Sequence, residues 1–285
     1  MATPAPTASS SAIWLGRFSL TLPVGWSSAG REQMIYRSRV TDDFRQFTPI
    51  PGMSAQARIL RGELTATDPV LREFNIDGVG PGAWFGLGSP TSPSRHVVLL
   101  AGTAESGVRL EALASTGKEA QAQEGLRQLA AGYRPAARSG FCLPNGAFAV
   151  DPGRNESTRV AAESAQLPGA ELRFSTLAVS TPRTDGPLVD PVADAKAMAG
   201  SGTTLKPLSQ TERTVAGFGG RDSRALLQEP GKPPTLVYRF FFAGIALNAA
   251  APEMIIALDG PANQQAALDA AWNQLLDSVR PVPLR

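Results

Sequence analysis

Apolar residues at 126, 129, 130 and 133, and again at 272, 275, 276 and 279, follow the i, i+3, i+4, i+7 spacing of an amphipathic helix. The two stripes lie 146 residues apart, and at that shift 108–135 aligns without a gap on 254–281. Leu110 and Ala112 fall on Ile256 and Leu258, just before the helical stripes. Ala122, Leu126, Leu129, Ala130 and Tyr133 fall on Leu268, Trp272, Leu275, Leu276 and Val279, and Arg134-Pro135 falls on Arg280-Pro281. Each half is therefore predicted to close with a strand, a turn, a helix and an Arg-Pro stop.

Upstream, the same order recurs at other shifts, as expected where loops have gained or lost residues. Asp68-Pro69-Val70 and Asp190-Pro191-Val192 each set an N-cap acid before a first-turn proline, predicting helices that run to about Asn75 and Met198. Before them, 18–23 (FSLTLP) and 147–152 (AFAVDP) read as strands ended by proline. Gly-rich turns are expected over 78–88 and 217–220, and apolar strands over 97–100 and 236–242. The short link 102–107 favours antiparallel pairing, because a parallel pair needs a crossover of a dozen residues or more. The expected class is α+β: two similar tandem domains, each a mainly antiparallel sheet covered by helices. Their boundaries are 12–136 and 137–285, after a flexible leader at 1–11, with a short link near 136–140.

Composition narrows the chemistry. The 285 residues are about twice the modal domain size, which agrees with the repeat. Lys and Arg number 27 against 25 Asp and Glu, and they are scattered singly, so no basic stripe for nucleic acid is present. The most apolar stretch, 236–251, is interrupted by Arg239, Gly244 and Asn248 and is too short to span a bilayer. With one His and one Cys, neither a zinc site of the usual kind nor an intrachain disulfide can be assembled. No metal or cofactor is expected. The opening MATPAPTASSS has no secretory apolar core, yet such a segment is also what remains after a signal peptide is removed, so both a cytoplasmic and an exported reading stand.

Candidate chemistry is sparse. A Ser-His-Asp hydrolase would have to use His96, which opens a predicted strand, and no G-x-S-x-G elbow exists to supply the nucleophile. Cys142 lies between Phe141 and Leu143, which suits a buried structural thiol better than a reactive thiolate. The glycine clusters at 78–82 and 217–220 lack the Lys-Ser/Thr of a phosphate loop, and Glu156 and Glu163 form no paired acid/base spacing. More informative are Trp84 and Phe85 after the first Gly-rich turn, and Phe218 with Arg221 at the second. Trp and Arg are enriched at interface hot spots, so these four are the candidate partner-binding residues. The competing expectation is that Trp84 and Phe85 begin the next strand and one of them packs inward.

Residues 16–26 (GRFSLTLPVGW) resemble the first strand and turn of Mog1/PsbP-like domains, whose signature is an apolar strand running into Pro-x-Gly-Trp. The second half, from 139–147 (SGFCLPNGA) through Glu156-Ser157, resembles the C-terminal domain of the immunity proteins that neutralise type VI secretion lipase effectors. That resemblance implies two tandem α/β domains set like a claw. It also implies a periplasmic, non-enzymatic inhibitor that grips the cap region of a phospholipase effector and blocks substrate access. No catalytic or cofactor-binding residue is carried over, and the chain departs from the family in showing no export signal at Met1. A double domain without recognisable catalytic groups is more naturally a binder than an enzyme. A secretion chaperone or effector-loading adaptor is the alternative binder, and a hydrolase built on His96 is the enzyme alternative.

Overall fold

A computed structural model describes residues 12–36, 44–50, 72–76, 80–86, 93–102, 107–149, 155–182 and 202–284. The chain begins β1 (Ala12–Leu15), β2 (Phe18–Thr21), β3 (Trp26–Tyr36), β4 (Phe44–Ile50), β5 (Arg72–Ile76), β6 (Gly80–Gly86), β7 (Ser94–Gly102) and β8 (Gly107–Ser115). Helix α1 (Glu119–Ala131) follows, then β9 (Tyr133–Pro135), β10 (Phe141–Leu143), β11 (Gly146–Phe148), β12 (Asn155–Ser164) and β13 (Glu171–Leu177). The chain ends with β14 (Thr204–Val215), β15 (Phe218–Gln228), β16 (Thr235–Phe242), β17 (Glu253–Pro261), α2 (Gln265–Ser278) and β18 (Arg280–Pro281). Antiparallel sheets dominate and the described helices are few, an α+β architecture.

Two compact units are present, and neither is a consecutive half of the chain. One comprises Met1–Ile13, Phe18–Arg31 and Arg159–Pro281; the other comprises Trp14–Arg17, Glu32–Thr158 and Val282–Arg285. The boundary expected near 136–140 falls inside the second unit, where β11 pairs with β9 on one side and β10 on the other. Across that point the backbone of 133–135 pairs with that of 146–148.

In the Glu32–Thr158 unit the strand order is β4-β8-β7-β6-β5, with antiparallel neighbours. Gly102 pairs with Gly107 at the end of the β7–β8 hairpin, as its short link predicts. Helix α1 buries Leu126, Leu129 and Ala130 with Tyr133 against Val97, Leu99, Leu110 and Ala112, the alternate positions of the two strands. The helical ending expected near Asn75 is instead strand β5, with Phe74 opposite Gly82 and Ile76 opposite Gly80. The proline-led signal was local, and pairing with the Gly-rich segment decides the conformation over 72–76. The described part of that Gly-rich segment, 80–86, is strand β6 rather than a turn, because its backbone pairs antiparallel with β5 on one side and β7 on the other. Positions 68–71 and the helix expected at 190–198 lie outside the described residues.

In the Arg159–Pro281 unit the order is β14-β15-β16-β17-β13-β12. Helix α2 buries Leu268, Trp272, Leu275 and Leu276 on one face. After it, Arg280 and Pro281 pair with Ser19 and Phe18 of β2. Ser278 Oγ receives the Thr21 N–H at 3.0 Å and lies 2.7 Å from the Leu275 carbonyl, so the end of α2 is fastened to β2. The Pro-x-Gly-Trp signature makes a tight turn: the Trp26 N–H reaches the Pro23 carbonyl at 3.1 Å, and Gly25 takes φ +82°. A Cβ there would stand 2.6 Å from Gln166, so glycine meets both the turn and the close approach.

Candidate interaction site

Of the four sequence candidates, Phe218 and Arg221 lie at the start of β15. A two-residue loop joins β14 to β15, with Val215 paired to Phe218 and positive φ at both Ala216 (54°) and Gly217 (88°). These are the signs of a type I′ turn, whose twist matches that of the flanking strands. The half-buried Phe218 ring stacks on Phe242 at 4.8 Å and meets Phe18 edge-on at 6.1 Å. Phe18 in turn meets Phe174 edge-on at 6.1 Å. Phe218 thus belongs to an aromatic row within its own unit. Arg221 stands opposite Glu212 and Phe241, and its odd spacing from Phe218 sets it on the other face of the strand.

On the Phe218 face of β15, Asp222 is buried and accepts the Trp272 indole N–H at 3.1 Å and an Arg213 guanidinium N–H at 3.4 Å. Arg213 also donates to Asn273 and Asp277, each at 2.8 Å, which pins β14 onto α2. Two positions along, Arg224 and the Tyr238 hydroxyl share Asp269 Oδ1 at 2.7 and 3.0 Å. Burial and the Asp269 carboxylate together push the Tyr238 hydroxyl well above the usual phenol range. These groups hold the hairpin to the helix rather than present a reaction centre.

Trp84 and Phe85 lie in β6, where Trp84 is opposite Arg72 and Val97, and Phe85 opposite His96. They lie near the end of β6, not at the beginning of the next strand, which starts at Ser94; their side chains fall outside the described residues. His96 is half-buried in β7, opposite Leu113 as well as Phe85, and burial lowers its pKa from the ordinary imidazole value. Cys142 is fully buried, and its N–H donates to the Gly16 carbonyl at 2.7 Å. Its own carbonyl accepts from Gly16 N–H at 2.8 Å and from the Gln33 amide at 2.7 Å. Burial pushes its thiol up to about 11, against the pull of Arg138 and Arg17. Among the described residues, no group of three His, Cys, Asp or Glu could hold a metal ion. No helix among them is long and apolar enough to cross a membrane.

Sequence reasoning missed one surface. The loop between β16 and β17 exposes Ile245 and Leu247, and the end of β13 beside it exposes Leu177. The signal was the uncharged run 240–252, whose Gly244 and Asn248 are turn residues rather than interruptions of an apolar segment.

The fold is that of known immunity proteins. It is similar to apo TplEi, an immunity protein of the T6SS of Pseudomonas aeruginosa, with a TM-score of 0.73 at 16% identity over 96% of this chain and 97% of that one. A chain of the Tle4–Tli4 complex is similar with a TM-score of 0.72 at 17% identity, over 96% and 98%. TplEi of P. aeruginosa complexed with "L" peptide gives 0.70 at 15% identity, over 95% and 98%. No curated protein matches the chain in sequence. Residues 135–283, more than half the chain, match the Tle cognate immunity protein 4 C-terminal domain, and the chain belongs to that family.

Proposed function

We propose that this chain is an immunity protein that binds a cognate type VI secretion lipase effector and inhibits it by gripping the enzyme and blocking substrate access. Family membership over 135–283 carries this reading. The likeness in fold to immunity proteins along nearly the whole chain, including one solved with Tle4, supports it. The protein acts by binding and has no turnover of its own; its place is the periplasm, where an exported inhibitor meets an incoming lipase. The repeat of 12–136 and 137–285 is a duplication: β7, β8, α1 and β9 recur as β16, β17, α2 and β18 in the same order. Two units gripping at once gain avidity, since the second contact becomes intramolecular. Trp84, Phe85, Phe218 and Arg221 are contact points of this grip.

The test is titration of a purified Tle4-class lipase from the same bacterium with the full chain. Activity should fall to zero near equimolar protein, and cells receiving the lipase in the periplasm should survive only when the chain is exported with it. Undiminished lipase activity at a large molar excess would reject the reading. Ester hydrolysis by the chain itself, lost on His96→Gln, would favour the enzyme alternative.

A further inference from the structure

In the Arg159–Pro281 unit the loop between β16 and β17 and the adjoining end of β13 carry exposed aliphatic side chains. Leu247 is 72% exposed, Ile245 52% and Leu177 37%. Leu247 holds φ at +56°, a left-handed conformation that side chains other than glycine and asparagine rarely adopt. The loop is nonetheless well fastened. Leu247 N–H donates to the Val179 carbonyl at 2.8 Å, and Ile245 N–H to the Ala251 carbonyl at 2.8 Å. Ala250 N–H donates to Asn248 Oδ1 at 3.0 Å, while Ala249 and Ala251 are buried as anchors. The anchored loop therefore holds two branched aliphatic side chains outward, and Leu247 does so on a backbone conformation that costs a branched side chain more than glycine or asparagine.

What surrounds these side chains indicates what they meet. No charged residue occurs from Phe240 to Pro252 or from Phe174 to Pro182, although 18% of the chain is charged. A lipid-binding loop of an anionic membrane surrounds its apolar residues with free lysine and arginine, whereas neither segment contains one and the preceding Arg173 and Arg239 are both paired with Asp259. An uncharged apolar projection is complementary to an uncharged apolar surface on a protein. A lipase must expose such a surface where acyl chains enter. We propose that Ile245 and Leu247, with Leu177 beside them, dock on the apolar rim of the lipase effector; this rests on the immunity reading above.

The experiment compares the full chain with Leu247→Asn, Leu247→Gly and Ile245→Asn on an immobilised, purified Tle4-class lipase. Asn and Gly suit the left-handed backbone at 247, so the Tm of those two variants should hold or rise. Their dissociation should nevertheless quicken by about tenfold or more, as loss of an interface anchor does. Unchanged dissociation in all three variants would overturn the proposal. So would Leu247-dependent sedimentation with phosphatidylethanolamine/phosphatidylglycerol vesicles, or a Leu247-dependent dimer, if lipase binding were unaffected. Failure of the unaltered chain to bind the lipase would remove the immunity reading itself, and this inference with it.

Discussion

The carboxylate of Glu156 takes two prongs of the Arg17 guanidinium, Nε at 2.8 Å and Nη2 at 2.6 Å, across 139 residues of sequence. Their side chains are only 5% and 4% exposed. The neighbouring Gly16 exchanges backbone hydrogen bonds with Cys142, so the ion pair and this bridge together tie the 14–17 segment into the Glu32–Thr158 unit. Removing one member leaves a buried charge, which costs about 3–5 kcal/mol. Glu156→Gln should lose stability on that scale in urea unfolding. Arg17→Met combined with Glu156→Leu should recover much of the loss, because the desolvation penalty disappears with both charges. A loss under about 1 kcal/mol for Glu156→Gln would show that water reaches the pair and solvates Arg17.

Trp272 is fully buried on α2, tilted against Tyr238 at 5.7 Å between ring centres. Trp272→Ala should cost roughly 3–5 kcal/mol through the cavity it leaves. Trp272→Phe separates packing from hydrogen bonding: it keeps a ring but removes the N–H that Asp222 accepts, and should cost about 1–3 kcal/mol. Equal losses for the two variants would mean that Asp222, not ring volume, governs this site.

The helical stripes, their 146-residue repetition and the strands before them could be read in the sequence because 3.6-residue and two-residue periods are local. Leu126 and Trp272 are buried at the positions that the spacing assigns. By contrast, the sequence of β5 reads as the tail of a helix, because Asp68-Pro69 is a local signal while the ladder from Phe74 to Gly82 is not. The interleaving of the units rests on similar non-local pairs, such as Pro281 with Phe18, which no periodicity announces. At the candidate site, composition identified Phe218 but not its stacking on Phe242. The exposure of Leu247 is not legible in the sequence, because a leucine with positive φ leaves no trace in a hydropathy pattern.

Cys142 should be inert while the protein is folded. Burial holds its pKa up at about 11 from an ordinary 9.0, so the thiol stays neutral at pH 8 and has little thiolate with which to react. Ellman's reagent should report no thiol in the native chain at pH 8 and one after denaturation. The same shift fixes a sign for stability. Because the folded state binds this proton more tightly than the unfolded one, its contribution is complete below about pH 9 and is lost as pH rises through about 11. Unfolding midpoints should therefore fall across that window, and the part due to this thiol should vanish in Cys142→Ala. Rapid labelling of native protein would mean that the 141–143 strand opens.

Cutting the chain between Ala136 and Ala137 should yield two pieces that do not fold alone, although the repeat in the sequence divides there. The C-terminal piece would lack β2, which pairs with β18 through Ser19 and Phe18 and receives Ser278 at Thr21. It would also lack the Phe18 ring that meets Phe174 and Phe218 edge-on. The N-terminal piece would keep β9 but lose β10 and β11, and with them Phe141, Leu143 and Phe148 from the core beneath α1. Loss of three buried large side chains at about 2–5 kcal/mol each exceeds much of a typical domain's stability of about 5–15 kcal/mol. Each piece should show little dispersed amide signal in NMR, while mixing the two should restore it if strand pairing alone directs assembly. Two well-dispersed spectra from the separate pieces would mean that each repeat carries a complete core without the strands supplied by the other piece.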